Sequence, residues 1–431
     1  MRIFMDCIYL LGLVAISPVA LYRIARHKRY RIGWAQRLGK ISRKHPDKKC
    51  IWLHAVSVGE VNATRTLVEA LEEKFSEYEI LISTTTDTGF ARAKKLFATS
   101  HTVCFFPFDL SCIMLHAFRN IRPAVCLLME LEVWPNFVRT AELLNVPVII
   151  VNGRISDRSF SKYKKIKPVA KSIFKKVRLI LAQTEQYAQR FREIGCPEEN
   201  VIITGSLKYD TAQITDKVQG SDVLVEKLSI KGQKLWVAGA TGDNEEQIIL
   251  EVYHQLKQQK QFEDLRLAIV PRKPERFDEV AQLIKQRNLP LLRYSRVEEN
   301  SLAAEIDKQA VILGDTMGDL RKFYSLADVI FVGRSLVPMG GSDMAEAAAL
   351  GKCTIFGPYA FNFKQTVDVL LEGHGAIMVK DKDDLAQTMQ KCLADRQFAK
   401  TIANNGREII RKNQGATTKT IDQIAKFLNP A

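Results

Sequence analysis

Short runs of apolar residues alternate with longer amphipathic stretches through most of this chain. Strand-like, mostly apolar runs occur at Cys50–Val56, Ile80–Ser83, Val103–Phe106, Val125–Met129, Val148–Val151, Leu179–Ala182 and Val201–Thr204. Between them, apolar residues recur at helical spacing, as over Val61–Phe75 and Phe90–Ala98. A run without polar alternation predicts a strand buried on both faces, and strand–helix alternation predicts a parallel sheet covered on both sides. The segment 208–232 turns polar, which predicts an interdomain connection. The alternation then resumes at Leu235–Gly239, Leu267–Val270, Pro290–Arg293, Val311–Leu313, Val329–Phe331, Cys353–Phe356 and Gly375–Met378. The pattern therefore predicts an α/β chain of two Rossmann-like, doubly wound domains, 31–207 and 233–431, facing a central cleft. The last helix, Thr418–Leu428, is expected to pack back on the first domain.

The start of the chain breaks this rhythm. Residues 7–21 are continuously apolar or small, and nine Lys/Arg without an acid follow between Arg23 and Lys44. Positive charge after an apolar segment favours a cytoplasmic body, so residues 1–30 are expected to form a membrane-anchoring helix with a basic collar on anionic lipid. A buried first helix is the alternative. Ten more basic residues lie between Arg154 and Arg178, relieved only by Asp157, and the 431-residue chain carries a net charge of +15. No RRM, KH, helix-turn-helix or zinc-finger pattern accompanies that charge, so no nucleic-acid partner is expected. The eight cysteines show no CxxC and no His/Cys metal spacing, as in a reducing compartment.

Chemistry is expected where strands run into loops. Ile51–Glu60 reads IWLHAVSVGE and ends on Glu60, a candidate base; Ser57 to Glu60 also fits an S-x-x-E capping box. Glu130 and Glu132 follow Val125–Met129 in MELEVWPN. Phe331–Ala348, FVGRSLVPMGGSDMAEAA, carries Gly333, Gly340 and Gly341, then Ser342 and Asp343 opening a helix with Glu346. That order suits an anionic group, although it is neither GxGxxG nor a Walker A. Arg272 and Lys273 in VPRKPERF are candidate phosphate neutralisers, and Lys208 in TGSLKYD is another cation for an anionic group. No HExxH, GxSxG or Cys/His pair suggests a hydrolase. Asp381-Lys382-Asp383 reads as surface charge.

Eleven blocks, in order, resemble the 3-deoxy-D-manno-octulosonic acid (Kdo) transferases, glycosyltransferase family 30. They are RIGWAQRLGK (31–40), HAVSVGE (54–60), STTTDTGFARA (83–93), FPFD (106–109), MELEVWPN (129–136), VNGRISDRS (151–159), TGSLKYD (204–210), VPRKPERF (270–277), DTMGDL (315–320), ADVIFVGRSLVPMGG (327–341) and GPYAFNF (357–363). The resemblance implies a GT-B architecture and an enzyme of lipopolysaccharide synthesis anchored at the cytoplasmic face of the inner membrane. CMP-Kdo would be the donor and a lipid A precursor the acceptor, with inversion and with no metal or other cofactor. It makes Glu60 the catalytic base, with Glu130 in support, and puts Ser57, Gly59 and Arg154 on the acceptor side. On the donor side it places Arg272, Lys273, Met317, Gly318, Gly340, Gly341, Ser342, Asp343 and Glu346.

The chain also departs from that family's pattern. GGSD and AEAA stand where GGHN and LEPA are common, ATGDNEE (240–246) replaces STHEGEE, and Arg334 occupies a usual glycine. A GT-B enzyme with another nucleotide-activated donor, or a non-enzymatic basic membrane or nucleic-acid binder, are the alternative readings.

Overall fold

The protein is described here by a computed structural model covering residues 32–299 and 307–428, with six isolated positions before them. The expected anchoring helix, 1–30, lies almost wholly outside the described residues. Among the described residues no helix is long and apolar enough to cross a membrane. Asp6, the acid within the apolar leader, is described: it accepts hydrogen bonds from the Ser111 N–H at 3.0 Å and Asn136 Nδ2 at 2.9 Å.

The chain divides into two compact units, 1–211 with 413–431, and 212–412. The first holds seven parallel strands: β1 (Lys49–His54), β2 (Tyr78–Thr84), β3 (Thr102–Phe105), β4 (Pro123–Met129), β5 (Val148–Gly153), β6 (Leu179–Ala182) and β7 (Val201–Ile203). Their order is β3-β2-β1-β4-β5-β6-β7. The parity of β1 shows why its sequence reads as a continuous apolar run. Cys50 and Trp52 join one core with Phe118 and Phe137, while Ile51 and Leu53 join the opposite one with Leu67 and Ile80. Both faces are covered, so no position alternates to water.

The pattern over Val61–Phe75 forms two helices, Val58–Ala63 and Arg65–Lys74. At the joint, Thr64 Oγ1 donates to the Val61 carbonyl at 2.8 Å, a local side-chain bond that competes with the helical ladder. The polar segment 208–232 carries most of the helix Leu207–Asp210 and all of the helix Ser221–Lys227.

The second unit holds β8 (Lys234–Thr241), β9 (Leu265–Pro271), β10 (Leu291–Arg293), β11 (Val311–Leu313), β12 (Val329–Val332), β13 (Cys353–Phe356) and β14 (Ile377–Met378). They are again parallel, in the order β10-β11-β9-β8-β12-β13-β14. The final helix, Ala416–Leu428, belongs to the first unit, where it buries Ile421, Ile424 and Leu428. It is pinned there by Lys74–Asp422 (3.0 Å), by Tyr78 Oη donating to the Leu428 carbonyl (3.0 Å), and by Asp210, which accepts the Gly415 and Thr417 N–H groups.

Candidate active site

In each sheet the strand order reverses at one point, and the carboxyl ends on either side of that point open a crevice. In the first unit it lies between β1 and β4, and both acidic motifs sit there. After β1, Ser57 caps the helix Val58–Ala63, its Oγ accepting the Glu60 N–H at 3.4 Å. The Glu60 carboxylate bends back to accept from the Val56 N–H and from Ser57 Oγ, both at 3.0 Å. The capping role is therefore realised, with the Val56 N–H as the backbone partner. The half-buried carboxyl is pushed above the ordinary carboxylate value by burial, with the Glu130 charge adding to the shift and the Val56 N–H opposing it. Gly59 is exposed, and a Cβ there would meet only Ser57 Oγ at 3.9 Å, so open space lies beside the base.

After β4, Glu130 holds the left-handed conformation (φ 53°), a strained state for a side-chain-bearing residue. Glu132 follows. Its carboxyl is pushed up to about 7, first by burial and then by the Glu60 and Glu130 charges, so near neutrality it holds its proton about half the time. Three carboxyl groups thus share one crevice, where burial first and neighbouring charge second hold Glu60 and Glu132 above the ordinary carboxylate value. Tyr163, on the helix Asp157–Lys165, faces Glu132. Arg154 follows β5, with its Nε buried and without a hydrogen-bond partner. Lys208 is half-buried on the helix Leu207–Asp210, in no ion pair among the described residues. His54 is fully buried at the end of β1. Burial lowers its pKa to about 3, Nδ1 lies 3.0 Å from both Ser83 O and Oγ, and the ring stacks on Phe106 at 3.9 Å.

The corresponding crevice of the second unit lies between β8 and β12, where the glycine-rich loop expected to meet an anion begins. The loop N–H groups of Arg334, Ser335 and Leu336 are taken by Glu245, a fully buried residue whose carboxylate also accepts from the Gly242 N–H. Gly340 (φ 90°) and Gly341 (φ 80°) are required by backbone and packing: a Cβ on Gly340 would lie 2.0 Å from Asn362 Nδ2, and one on Gly341 3.0 Å from Ala360 Cα. Ser342 Oγ donates to the Ala240 carbonyl at 3.3 Å. Asp343 caps the following helix, Met344–Ala349, by accepting the Ala345 N–H at 3.0 Å. A carboxylate therefore already sits at that six-residue helix's start, where an incoming phosphate would be repelled.

Cations and a half-buried acid remain at this edge. Arg272 and Lys273 are exposed after β9, and the Arg272 N–H donates to Thr241 O of β8 at 3.1 Å. Glu346 is half-buried. Burial and the Asp343 charge raise its pKa, while Arg321 and Arg272 oppose the rise. Tyr324 lies beneath it, its hydroxyl buried and unpartnered, with the ring filling the space that a Cβ on Gly239 would need. After β11, Met317 is 68% exposed and Gly318 (φ 106°) has open space around its Cβ position.

Structure thus brings Ser57, Gly59, Glu60 and Glu130 to one edge with Arg154, and Arg272, Lys273, Gly340, Gly341, Ser342, Asp343 and Glu346 to the other sheet's edge. Glu245 and Tyr324 were not singled out from the sequence, and Glu132 was noted beside Glu130 without a role of its own. Glu132 alone had a readable signal, its place two residues after Glu130 beside Trp-Pro.

Comparison with known proteins agrees with this architecture. A family model for 3-deoxy-D-manno-octulosonic-acid transferase (kdotransferase) matches residues 32–211. The 3-deoxy-D-manno-octulosonic acid transferase of Haemophilus influenzae is 34% identical over 403 residues, covering 93% of this chain and 92% of that protein. The protein of the same name from Bordetella pertussis is 28% identical over 434 residues, covering 98% and 99%. In fold, the S. aureus MnaA–UDP structure aligns with a TM-score of 0.57 at 16% identity, over 89% of this chain and 98% of that one. Two Rossmann-like units in one chain make the fold GT-B. With a relative this similar spanning nearly its whole length, the chain belongs to the 3-deoxy-D-manno-octulosonic acid transferases and is a glycosyltransferase.

Proposed function

We propose that the enzyme moves Kdo from CMP-Kdo to a sugar hydroxyl of a lipid A precursor, with inversion, at the cytoplasmic face of the inner membrane. The observation that carries this reading is the Glu60 carboxyl, held in a crevice by two hydrogen bonds at 3.0 Å with its proton affinity raised. A sugar hydroxyl is a poor nucleophile at neutral pH, and a carboxylate with raised basicity is a better acceptor of its proton. As the acceptor oxygen bonds to the anomeric carbon, its proton passes to Glu60, which must leave Ser57 and Val56 to receive it. The anomeric C–O bond to phosphate breaks, and its electron pair departs with CMP. Glu130 supports the base by raising its pKa, and Arg154, Ser57 and Gly59 line the acceptor side. Arg272 and Lys273 neutralise donor charge, with Glu346 contacting the nucleotide and Met317-Gly318 leaving room for it. Lys208 serves an anionic group. The basic stretches 23–44 and 154–178 suit an anionic membrane and a phosphorylated acceptor.

The test is incubation of the purified protein with CMP-Kdo and tetraacylated lipid A precursor, followed by detection of a Kdo-lipid. Absence of product with both substrates intact would overturn the reading. The GGSD and ATGDNEE loops favour one competing reading, a different nucleotide-activated sugar, which binding competition among CMP, UDP and GDP would separate.

A further inference from the structure

Arg334 is held in a state that the fold alone does not explain. It follows Gly333 at the carboxyl end of β12, on the crevice between β8 and β12, with φ 60°. That left-handed conformation favours glycine, and an arginine there costs stability. Its guanidinium is poorly satisfied: Nη2 donates to the Met339 carbonyl at 3.1 Å, while Nε is buried without a partner. Among the described residues no carboxylate lies within ion-pairing distance of it. Glu245 spends its oxygens on backbone N–H groups, including that of Arg334 itself.

The neighbours make room for this side chain. A Cβ on Gly242 would lie 3.0 Å from Arg334 Cγ and 2.6 Å from Met339 Sδ, so the turn after β8 is shaped around the arginine stem and the Met339 loop. Arg272 stands at the end of β9, on the other side of β8. The carboxyl end of β8 is therefore flanked by two arginines, one from each neighbouring strand.

We infer that Arg334 is an anion-binding residue of the nucleotide-sugar site, paired across β8 with Arg272, and that a ligand anion completes its hydrogen bonding. The inference rests on the proposed donor. CMP-Kdo carries two anionic groups, the phosphate and the carboxylate of the sugar acid, and a planar guanidinium can bind either through two N–H donors. A strained arginine without a protein counter-ion has its compensation in the liganded state.

Three proteins decide the matter: wild type, Arg334→Gly and Arg334→Lys, each measured for thermal stability, for CMP and CMP-Kdo affinity by thermal shift, and for transfer kinetics. Arg334→Gly relieves the backbone strain, so its Tm is expected to stay level or rise. CMP-Kdo affinity is expected to fall about 10- to 100-fold, the size of one lost charge-assisted contact. Arg334→Lys, which keeps the charge, is expected to fall between the two. If CMP affinity falls by the same factor, the bound group is the phosphate; if only CMP-Kdo weakens, it is the sugar carboxylate. Affinities for both ligands within twofold of wild type in Arg334→Gly would overturn the inference, as would a lowered Tm, which would make the side chain a structural support of the loop. A wild type that binds these ligands but transfers no Kdo contradicts the proposed function instead, and leaves the binding comparison decisive for Arg334.

Discussion

Glu245 Oε1 accepts the backbone N–H of Ser335 at 2.9 Å, joining the helix that follows β8 to the loop that follows β12. The same oxygen takes Leu336 N–H at 2.9 Å, and the other takes the N–H groups of Arg334 and Gly242. Replacing Glu245 by alanine would leave several loop donors buried and unpaired, at about 1–3 kcal/mol for each that water cannot reach. Glu245→Ala is therefore expected to lose about 3 kcal/mol or more in urea unfolding of the second unit. Glu245→Gln, which keeps one acceptor oxygen, should lose less. Equal stability of wild type and Glu245→Ala would show that the loop does not depend on this carboxylate.

Glu60 has two functions that substitution separates. Glu60→Gln retains an amide oxygen for the Val56 N–H and is expected to shift Tm by only a few degrees, while transfer falls about 100-fold or more for want of a base. Ser57→Ala removes the cap and should cost about 1 kcal/mol of stability, with a smaller effect on rate. A Glu60→Gln enzyme with full kcat would remove Glu60 from the chemistry.

The charge of Glu130 raises the pKa of Glu60. The acid limb of kcat/KM against pH is accordingly expected above the ordinary carboxylate range. Glu130→Gln should move that limb to lower pH, because the neighbouring charge that disfavours ionisation is gone. An unmoved limb would mean that the two carboxyls do not interact.

Glu132 imposes its own pH dependence on stability. Its folded-state pKa of about 7 lies above the ordinary value of 4.5, so between these limits the folded protein binds more protons than the unfolded chain. Stability is then fully present below pH 4.5 and is lost as pH rises towards and through 7, by about 3 kcal/mol at most. Glu132→Gln should flatten this part of the profile in denaturant titrations at pH 5, 6, 7 and 8. An unchanged slope would count against a protonated Glu132.

The final helix is a structural part of the first unit. Ile424 is fully buried in the core that contains Ile51, Leu53 and Leu67, so Ile424→Ala should destabilise that unit by about 2–5 kcal/mol. Comparing proteolysis of wild type and variant, mapped to residues 32–211, would check it.

Much of this molecule was legible as a string. Runs such as Ile80–Ser83 and Leu179–Ala182 announce strands because burial on both faces leaves no polar alternation, and every run read as a strand from residue 50 onward overlaps an observed strand. Glu60 and Glu130 were readable as site candidates because each lies in the turn or first helical turn after a strand, and a parallel sheet gathers such ends at one edge. These signals are local, so a linear reading captures them. Only the tertiary structure could decide the partners of the loops. Glu245 and Ser335 are 90 residues apart and meet because β8 and β12 are neighbours at the reversal of strand order. That contact commits the N–H groups of Arg334, Ser335 and Leu336 to the chain's own carboxylate. The break at Thr64 and the proton held by Glu132 likewise depend on a side-chain bond and on burial, neither of which hydrophobic periodicity encodes.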